Sequence, residues 1–190
     1  MDTTSVMFTG VGGQGTLLAS RVIGRVLLDA GFDVKLSEVH GLSQRGGSVV
    51  TYVKYGEKVC SPVIDKGEAD YIVAFEQMEA ARWLDYLKIG GKMLVNTQKL
   101  PPMPVITGAA EYNADIIGKI AASGVDVKSL NALELAEQAG SARAVNVVMI
   151  GALSNLLGFG GEMWKAALRE CSPAKALEIN RKAFKSGKEA

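Results

Sequence analysis

Short apolar runs and amphipathic stretches alternate from the beginning of the chain. Residues 6–9 form an apolar run that ends at glycines, which is typical of a buried strand. Residues 16–30 carry apolar side chains three and four positions apart, which predicts a helix ended by Gly31. With a second strand at 32–36, the pattern predicts a β-α-β unit whose two strands run parallel through a right-handed crossover.

A different pattern follows a polar loop. Residues 48–55 alternate with β-branched and aromatic side chains, and Gly56 and Glu57 provide a turn into residues 58–60. This pattern predicts a β-hairpin. An antiparallel hairpin at this point is not part of a plain nucleotide-binding βαβαβ unit.

The rest of the chain continues the alternation of strands and helices. Strands are predicted at 71–75, 93–95 and 125–127, with an extended connection around Pro101, Pro102 and Pro104. Helices are predicted at 76–87, 115–122, 132–139 (with Asn131 as its N-cap), 144–157, 162–170 and 174–185. Residues 1–190 are therefore expected to form a single α/β domain, a three-layer α/β/α Rossmann-like sandwich with a mixed, mostly parallel sheet that includes a β-hairpin.

Charge and hydropathy narrow the class of partner. The 190 residues carry 21 basic and 20 acidic side chains, a formal net charge of +1. This balance gives no electrostatic reason to expect nucleic acid or an anionic membrane as a partner. No apolar run approaches the roughly 18 residues of a membrane span, and no targeting segment is visible, so a cytoplasmic protein is expected.

The cysteine count restricts the redox chemistry of this chain. Cys60 and Cys171 are 111 residues apart and make no C-x-x-C pair, so we expect neither an iron–sulfur cluster nor a structural zinc built by this chain alone. A disulfide scaffold is not expected either, and reduced thiols fit the cytosol. No catalytic triad or acid–base pair stands out.

A glycine-rich segment, Gly10-x-Gly12-x-x-Gly15, stands between the first strand and the first helix. In such a segment the first glycine permits a tight turn, the second lets the backbone approach a phosphate, and the third lets the helix pack close to the strand. Free N–H groups and the positive helix end favour an anion. The candidate cofactor-binding residues are Gly10, Gly12, Gly13, Gln14 and Gly15. No Walker lysine is present, which excludes a P-loop, and a turn that only packs is the alternative.

A second candidate group follows the second strand. Glu38 stands where a dinucleotide-binding fold places its ribose-binding acid, but a polar, glycine-bearing loop follows it instead of a helix. This loop is expected at the carboxyl edge of the sheet, where ligands bind in open α/β sheets. The candidates are Glu38, His40, Ser43, Gln44, Arg45, Gly46 and Gly47, with Arg45 as a bidentate partner of a phosphate or carboxylate. The alternative is a solvated loop in which Glu38 pairs with Arg45.

Several blocks of the sequence together resemble a known family. The blocks are residues 10–15 and 37–48, then Gly67-Glu68-Ala69-Asp70, Phe75-Glu76, Val95-Asn96-Thr97 and residues 146–153. Over nearly the whole chain they resemble the gamma-type domain of 2-oxoacid:ferredoxin oxidoreductases, and within it the branch that acts on indolepyruvate.

The resemblance implies a non-redox subunit, inactive when isolated, of an enzyme that oxidatively decarboxylates a 2-oxoacid to an acyl-CoA and passes electrons to ferredoxin. It places thiamine diphosphate and 4Fe-4S clusters in a large alpha subunit. A dimer of heterodimers is one quaternary structure that the resemblance leaves open. It implies a coenzyme A site lined by Gly10–Gly15 and Arg45–Gly47. Two other functions stay open: a stand-alone NAD- or flavin-binding oxidoreductase, and a structural interaction subunit whose glycine loop binds nothing.

Overall fold

A six-stranded sheet organises the computed structural model. The structure describes residues 3–40 and 47–190, without the side chain of His40. The strands are β1 (Thr4–Val11), β2 (Asp33–His40), β3 (Ser48–Gly56), β4 (Ala69–Ala74), β5 (Leu87–Asn96) and β6 (Asp126–Leu130). Across the sheet they follow the order β2-β3-β1-β4-β5-β6.

In the described sheet, β3 is the strand that runs antiparallel to the other five. It pairs antiparallel with both β2 and β1, whereas the pairs β1–β4, β4–β5 and β5–β6 are parallel. The prediction of a mixed, mostly parallel sheet is therefore confirmed.

The hairpin differs from the predicted one in its partner strand. Val53 of β3 lies opposite Leu36 of β2 on one side and opposite Val6 of β1 on the other, while the described residues 57–60 form no strand. The strand predicted at 58–60 is therefore wrong, because the turn at Gly56 is a local signal and β3 instead pairs along its length with β1 and β2. β1 and β2 do run parallel, as predicted, but β3 separates them.

Helices cover both faces of the sheet. In the described ranges they are α1 (Thr16–Asp29), α2 (Gln77–Arg82), α3 (Met103–Ile106), α4 (Ile116–Ala122), α5 (Ala132–Ala139), α6 (Val145–Leu157), α7 (Gly161–Cys171) and α8 (Leu177–Glu189). None of these described helices has the length and apolar character needed to cross a lipid bilayer.

Alternation along the strands divides the core into two halves. Val6 and Phe8 of β1 pack in a cluster with residues of α1 and α5–α8, whereas Met7, which lies between them, packs in a second cluster with α2 and α4. Successive strand residues point to opposite faces of a sheet. The three-layer α/β/α architecture is therefore confirmed, with the larger helical layer on the α1 side.

Some element boundaries differ from the predicted ones. The helix predicted over 76–87 ends at Arg82 and is followed by a short 3-10 turn, Leu84–Tyr86. The glycines predicted to follow that helix lie within β5. The proline-rich connection contains α3, whose N-cap is Pro102, a place where proline is tolerated because the first helical N–H groups need no helical partner. The predicted N-cap of α5 is confirmed, since the Asn131 side chain accepts the Glu134 N–H at 3.2 Å.

Candidate functional site

The candidate site lies at the carboxyl edge of the sheet, where β1 and β4 end side by side. α1 follows β1 onto one face of the sheet, and α2 follows β4 onto the other. In open α/β sheets a reversal of this kind leaves a crevice in which ligands bind. The glycine segment after β1 and Glu76, which precedes α2, therefore flank the same crevice.

The two predicted glycine-bearing segments meet at this edge. β1 continues through Val11, so the connection to α1 is shorter than the motif suggests. The Gly12 N–H donates to the Gly47 carbonyl at 2.9 Å, and the Gln14 N–H donates to the Val11 carbonyl at 3.1 Å. The Gly12 N–H is therefore committed to the Gly47 carbonyl and is not free to donate to a bound anion.

The three other glycines of the segment have different surroundings. A Cβ on Gly10 would meet the Gln14 Oε1 at 2.8 Å, and a Cβ on Gly15 would meet the Asn146 Nδ2 at 2.5 Å. Gly10 and Gly15 thus serve close packing within the protein, and Gly15 packs against α6. Gly13 has a φ of 102°, and no atom of the described residues lies within 4 Å of its Cβ position, so among these residues the open space of the segment lies over Gly13.

The beginning of α1 is left without a side-chain cap. Its N-cap is Gly15, none of the described side chains caps the N–H groups of its first turn, and no acidic residue occupies that turn. The first N–H groups of a helix have no partner inside it, and together with the helix dipole they attract negative charge. The geometry at Gly13 and α1 therefore suits an anionic group.

Gln14 joins the carboxyl ends of the central strands. Its Oε1 accepts the Val11 N–H at 2.7 Å, and its Nε2 donates to the Phe75 carbonyl at 3.0 Å. The same carbonyl accepts the buried Asn96 Nδ2 at 3.0 Å, and the Asn96 Oδ1 accepts the Ala132 N–H at 3.1 Å. These two amides hold β1, β4, β5 and the beginning of α5 in a fixed arrangement around the crevice.

We expect Gln14→Glu to lower the free energy of unfolding by about 2 kcal/mol, because the carboxylate keeps the acceptor but loses the donor to the Phe75 carbonyl. The same substitution at the exposed Gln138 is expected to change it by less than about 0.5 kcal/mol. Urea unfolding followed by circular dichroism measures both. Equal stabilities of the two variants would contradict the joining role of Gln14.

A buried carboxylate closes the opposite wall of the crevice. Glu76 is 1% exposed and accepts the N–H groups of Glu79 at 3.0 Å and Leu100 at 3.1 Å, together with the hydroxyl of Tyr112. Burial, followed by the hydrogen bond to this carboxylate, raises the pKa of Tyr112 above its ordinary value. Glu76 thus ties the segment after β5 to the beginning of α2.

A second buried carboxylate lies one turn along α2. Glu79 accepts the Ser48 hydroxyl, the Trp83 Nε1 at 3.3 Å and the Arg82 Nε at 2.9 Å. A cleft of about 280 Å³ opens between these groups and the end of β1, with Val11, Met78 and Leu100 among its lining residues. Since Glu79 is fully hydrogen-bonded, the polar group of this cleft that remains exposed is the Arg82 side chain, at 52%.

The predicted residues of the second strand and its loop are only partly within the described structure. Ser43, Gln44, Arg45 and Gly46 lie outside the described residues, as does the His40 side chain. Glu38 lies within β2, opposite Thr51 of β3, and β3 separates it from β1. A dinucleotide-binding fold has these two strands as neighbours, so this geometry does not favour the stand-alone dinucleotide function.

The site contains residues for which the sequence interpretation gave no role: Ser48, Glu76, Glu79, Asn96, Tyr112 and Asn146. Glu76 and Asn96 each follow directly after a predicted strand, 71–75 and 93–95, and a polar residue at a strand end is the signal that could have found them. The contact of Asn146 with Gly15, in which its Nδ2 donates to the Gly15 carbonyl at 3.1 Å, spans 131 residues of sequence. Patterns within a short stretch of sequence cannot reveal a contact between residues so far apart in the chain.

Comparisons with known proteins agree on one family. The family described as pyruvate ferredoxin/flavodoxin oxidoreductase matches residues 5–190. The chain is 41% identical over 195 residues to the indolepyruvate oxidoreductase subunit IorB of Thermococcus kodakarensis, covering 100% of this chain and 96% of that protein.

Two solved structures share the fold. The gamma subunit of a keto/oxoacid ferredoxin oxidoreductase from Geobacter sulfurreducens superposes with a TM-score of 0.74 at 24% identity, over 98% of this chain and 96% of that chain. A 2-oxoglutarate:ferredoxin oxidoreductase from Magnetococcus marinus, solved with 2-oxoglutarate, coenzyme A and succinyl-CoA bound, superposes with a TM-score of 0.76 at 20% identity. That match covers 100% of this chain and 31% of the other.

Proposed function

Because this chain belongs to the pyruvate ferredoxin/flavodoxin oxidoreductase family and is a subunit of a 2-oxoacid:ferredoxin oxidoreductase, we propose that it is the non-redox subunit that binds coenzyme A. In the complete enzyme a 2-oxoacid loses carbon dioxide, its acyl group forms a thioester with the sulfur of coenzyme A, and two electrons pass to ferredoxin. Residues 1–190 act in this proposal as one gamma-type domain.

The uncapped beginning of α1 carries the proposal. It opens over Gly13, where none of the described residues comes within 4 Å of the Cβ position. The N–H groups at this end hold the pyrophosphate of coenzyme A, and Arg45, which lies outside the described residues, adds a charge-assisted contact. The remaining proposed site residues are Glu38 and His40 of β2, and Ser43, Gln44, Gly46 and Gly47, which follow it in the sequence. Gly10, Gly12, Gln14 and Gly15 shape the glycine segment.

The electron-transfer groups are proposed to lie in a larger alpha subunit. A 4Fe-4S cluster needs about four cysteine ligands, and this chain has two cysteines. The described residues also contain no group of three or more metal-ligating side chains. Thiamine diphosphate and the clusters are accordingly assigned to the partner, which passes electrons to ferredoxin, while this chain positions coenzyme A.

The 2-oxoacid is proposed to be indolepyruvate or a related arylpyruvate. The support is the name of the relative at 41% identity, an indolepyruvate oxidoreductase subunit. Comparing kcat/KM for indolepyruvate with that for pyruvate and 2-oxoglutarate in the assembled complex tests this assignment, which is overturned if either aliphatic acid is used more efficiently.

Gly13→Asp is expected to raise the KM for coenzyme A at least tenfold in the assembled complex, because a carboxylate would occupy the anion site at α1. The KM for the 2-oxoacid should stay within twofold. Gly31→Asp is the matched control, since Gly31 also has a positive φ, 87°, and open space around its Cβ position, but lies at the other end of α1. An unchanged KM for coenzyme A in Gly13→Asp would overturn the proposed coenzyme A role.

A further inference from the structure

A cleft between α7 and α8 has no part in the proposed reaction. Its volume is about 450 Å³, within the roughly 300–1,000 Å³ of small-molecule sites. Leu168 and Phe184 contribute to its lining and are both largely buried, so its floor is apolar. Gly161 also lines the cleft, and no atom of the described residues lies within 4 Å of its Cβ position.

Cationic side chains surround this apolar floor: Lys165 of α7, and Arg181, Lys185 and Lys188 of α8. No acidic residue is among the described residues that line the cleft. Three of the four cations pair with a glutamate on their own helix, at N···O distances of 2.6–3.7 Å, and exposed pairs of this kind are weak in water. In a chain of net charge +1, the four cations form a local excess of positive charge.

The cleft is separated from the glycine segment by the length of α6. Asn146, at the beginning of α6, donates to Gly15, and Asn155, near its end, donates to the Lys188 carbonyl at 2.8 Å. Nine helical residues span about 14 Å at 1.5 Å per residue. A ligand in the α7–α8 cleft would therefore not overlap a group held at Gly13.

We propose that the α7–α8 cleft binds an amphipathic organic anion, a carboxylate with an aromatic or aliphatic body. The apolar body covers Leu168 and Phe184, and the carboxylate lies among the lysines of the rim. An apolar pocket with a few charged groups that fix orientation is the usual form of a small-molecule site. The inference stands independently of the proposed coenzyme A role.

Site-resolved acetylation of lysines tests the proposal on the full chain, together with any partner chain that copurifies. The probe is 2-naphthoate, and the measurement is the acetylation rate of Lys185 as the probe is added. We expect 2-naphthoate to slow acetylation of Lys185 at least fivefold at saturation, while Lys182, which lies on α8 but does not line the cleft, changes by less than 1.5-fold.

Two charge reversals on α8 provide a matched comparison. Lys188→Glu is expected to raise the 2-naphthoate concentration for half-protection of Lys185 at least tenfold. Lys182→Glu changes the net charge equally but lies outside the cleft lining, so it is expected to raise that concentration less than twofold. The proposal is overturned if the two variants shift protection alike, or if uncharged 2-naphthol or inorganic phosphate protects as well as 2-naphthoate. It is also overturned if Lys185 is unreactive before any probe is added, because a protein partner then covers the cleft.

Discussion

Gly187→Ala should lower the free energy of unfolding by about 3 kcal/mol, since overpacking against rigid backbone costs about 1–3 kcal/mol or more. A Cβ on Gly187 of α8 would lie 1.9 Å from the Val148 carbonyl oxygen of α6, and a Cβ on Gly151 of α6 would lie 2.1 Å from the Phe184 carbonyl oxygen of α8. The two helices thus approach each other backbone to backbone at glycines, and an added methyl group would force them apart.

Urea unfolding of the purified chain measures this effect. Gly24→Ala is the control, because it also adds a methyl group inside a helix, but its Cβ would meet the Leu36 Cδ1 at 3.0 Å, the end of a side chain that is 44% exposed. The higher helix propensity of alanine, worth up to about 1 kcal/mol, should leave Gly24→Ala near the parent stability. A Gly187→Ala protein as stable as Gly24→Ala would contradict the close approach of α6 and α8.

The second large effect is expected at Glu76. Glu76→Ala should also cost about 3 kcal/mol, because it removes the acceptor for two backbone N–H groups and for the Tyr112 hydroxyl in a buried setting, and each unsatisfied buried donor costs about 1–3 kcal/mol. Part of the loss is the N-cap of α2, worth about 1 kcal/mol on its own. The segment after β5, which Glu76 holds through the Leu100 N–H, should detach from α2 in the same variant.

Thermal or urea unfolding checks the size of this effect, with Glu137→Ala on the exposed face of α5 as the control at less than about 0.5 kcal/mol. Glu76→Gln gives a finer test. It keeps an acceptor but removes the negative charge, so the pKa of Tyr112 should fall toward its ordinary value, which NMR of the labelled Tyr112 ring reports. If Glu76→Ala were as mild as Glu137→Ala, the carboxylate would have no structural role.

Patterns confined to short windows predicted much of the fold. The helix at 16–30, the cap at Asn131 and the apolar helix that became α6 were recognised from periodicity and capping residues alone. The position of β3 was not, since β3 pairs along one edge with β2 and along the other with β1, and the local turn at Gly56 does not indicate either partner. Similarly, no local signal distinguishes Gly90 and Gly91 inside β5 from glycines that end a helix.

Sequence patterns predicted where the candidate site lies better than which residues form it. The glycine segment and its meeting with Gly47 follow from placing two loops at one sheet edge. The roles of Gln14 and Asn146 depend on contacts with residues 61 and 131 positions away. Such contacts exist only after the sheet and α6 have assembled, so the glycine motif alone predicts that Gly15 lets α1 pack close to the strand, whereas Gly15 packs against Asn146 of α6.

Inserting β3 beside β1 also affects how the chain assembles as it is synthesised. β1, α1, β2 and β3 are complete at Gly56, so three strands and both of their antiparallel pairings need no later residue. The parallel β1–β4 pair has to wait for residues 69–74, and pairing between distant segments is slow because a long loop must close first. The β1 edge away from β3 therefore has no partner strand until β4 has been synthesised, and β5 and β6 follow in sequence order because each pairs with the strand before it.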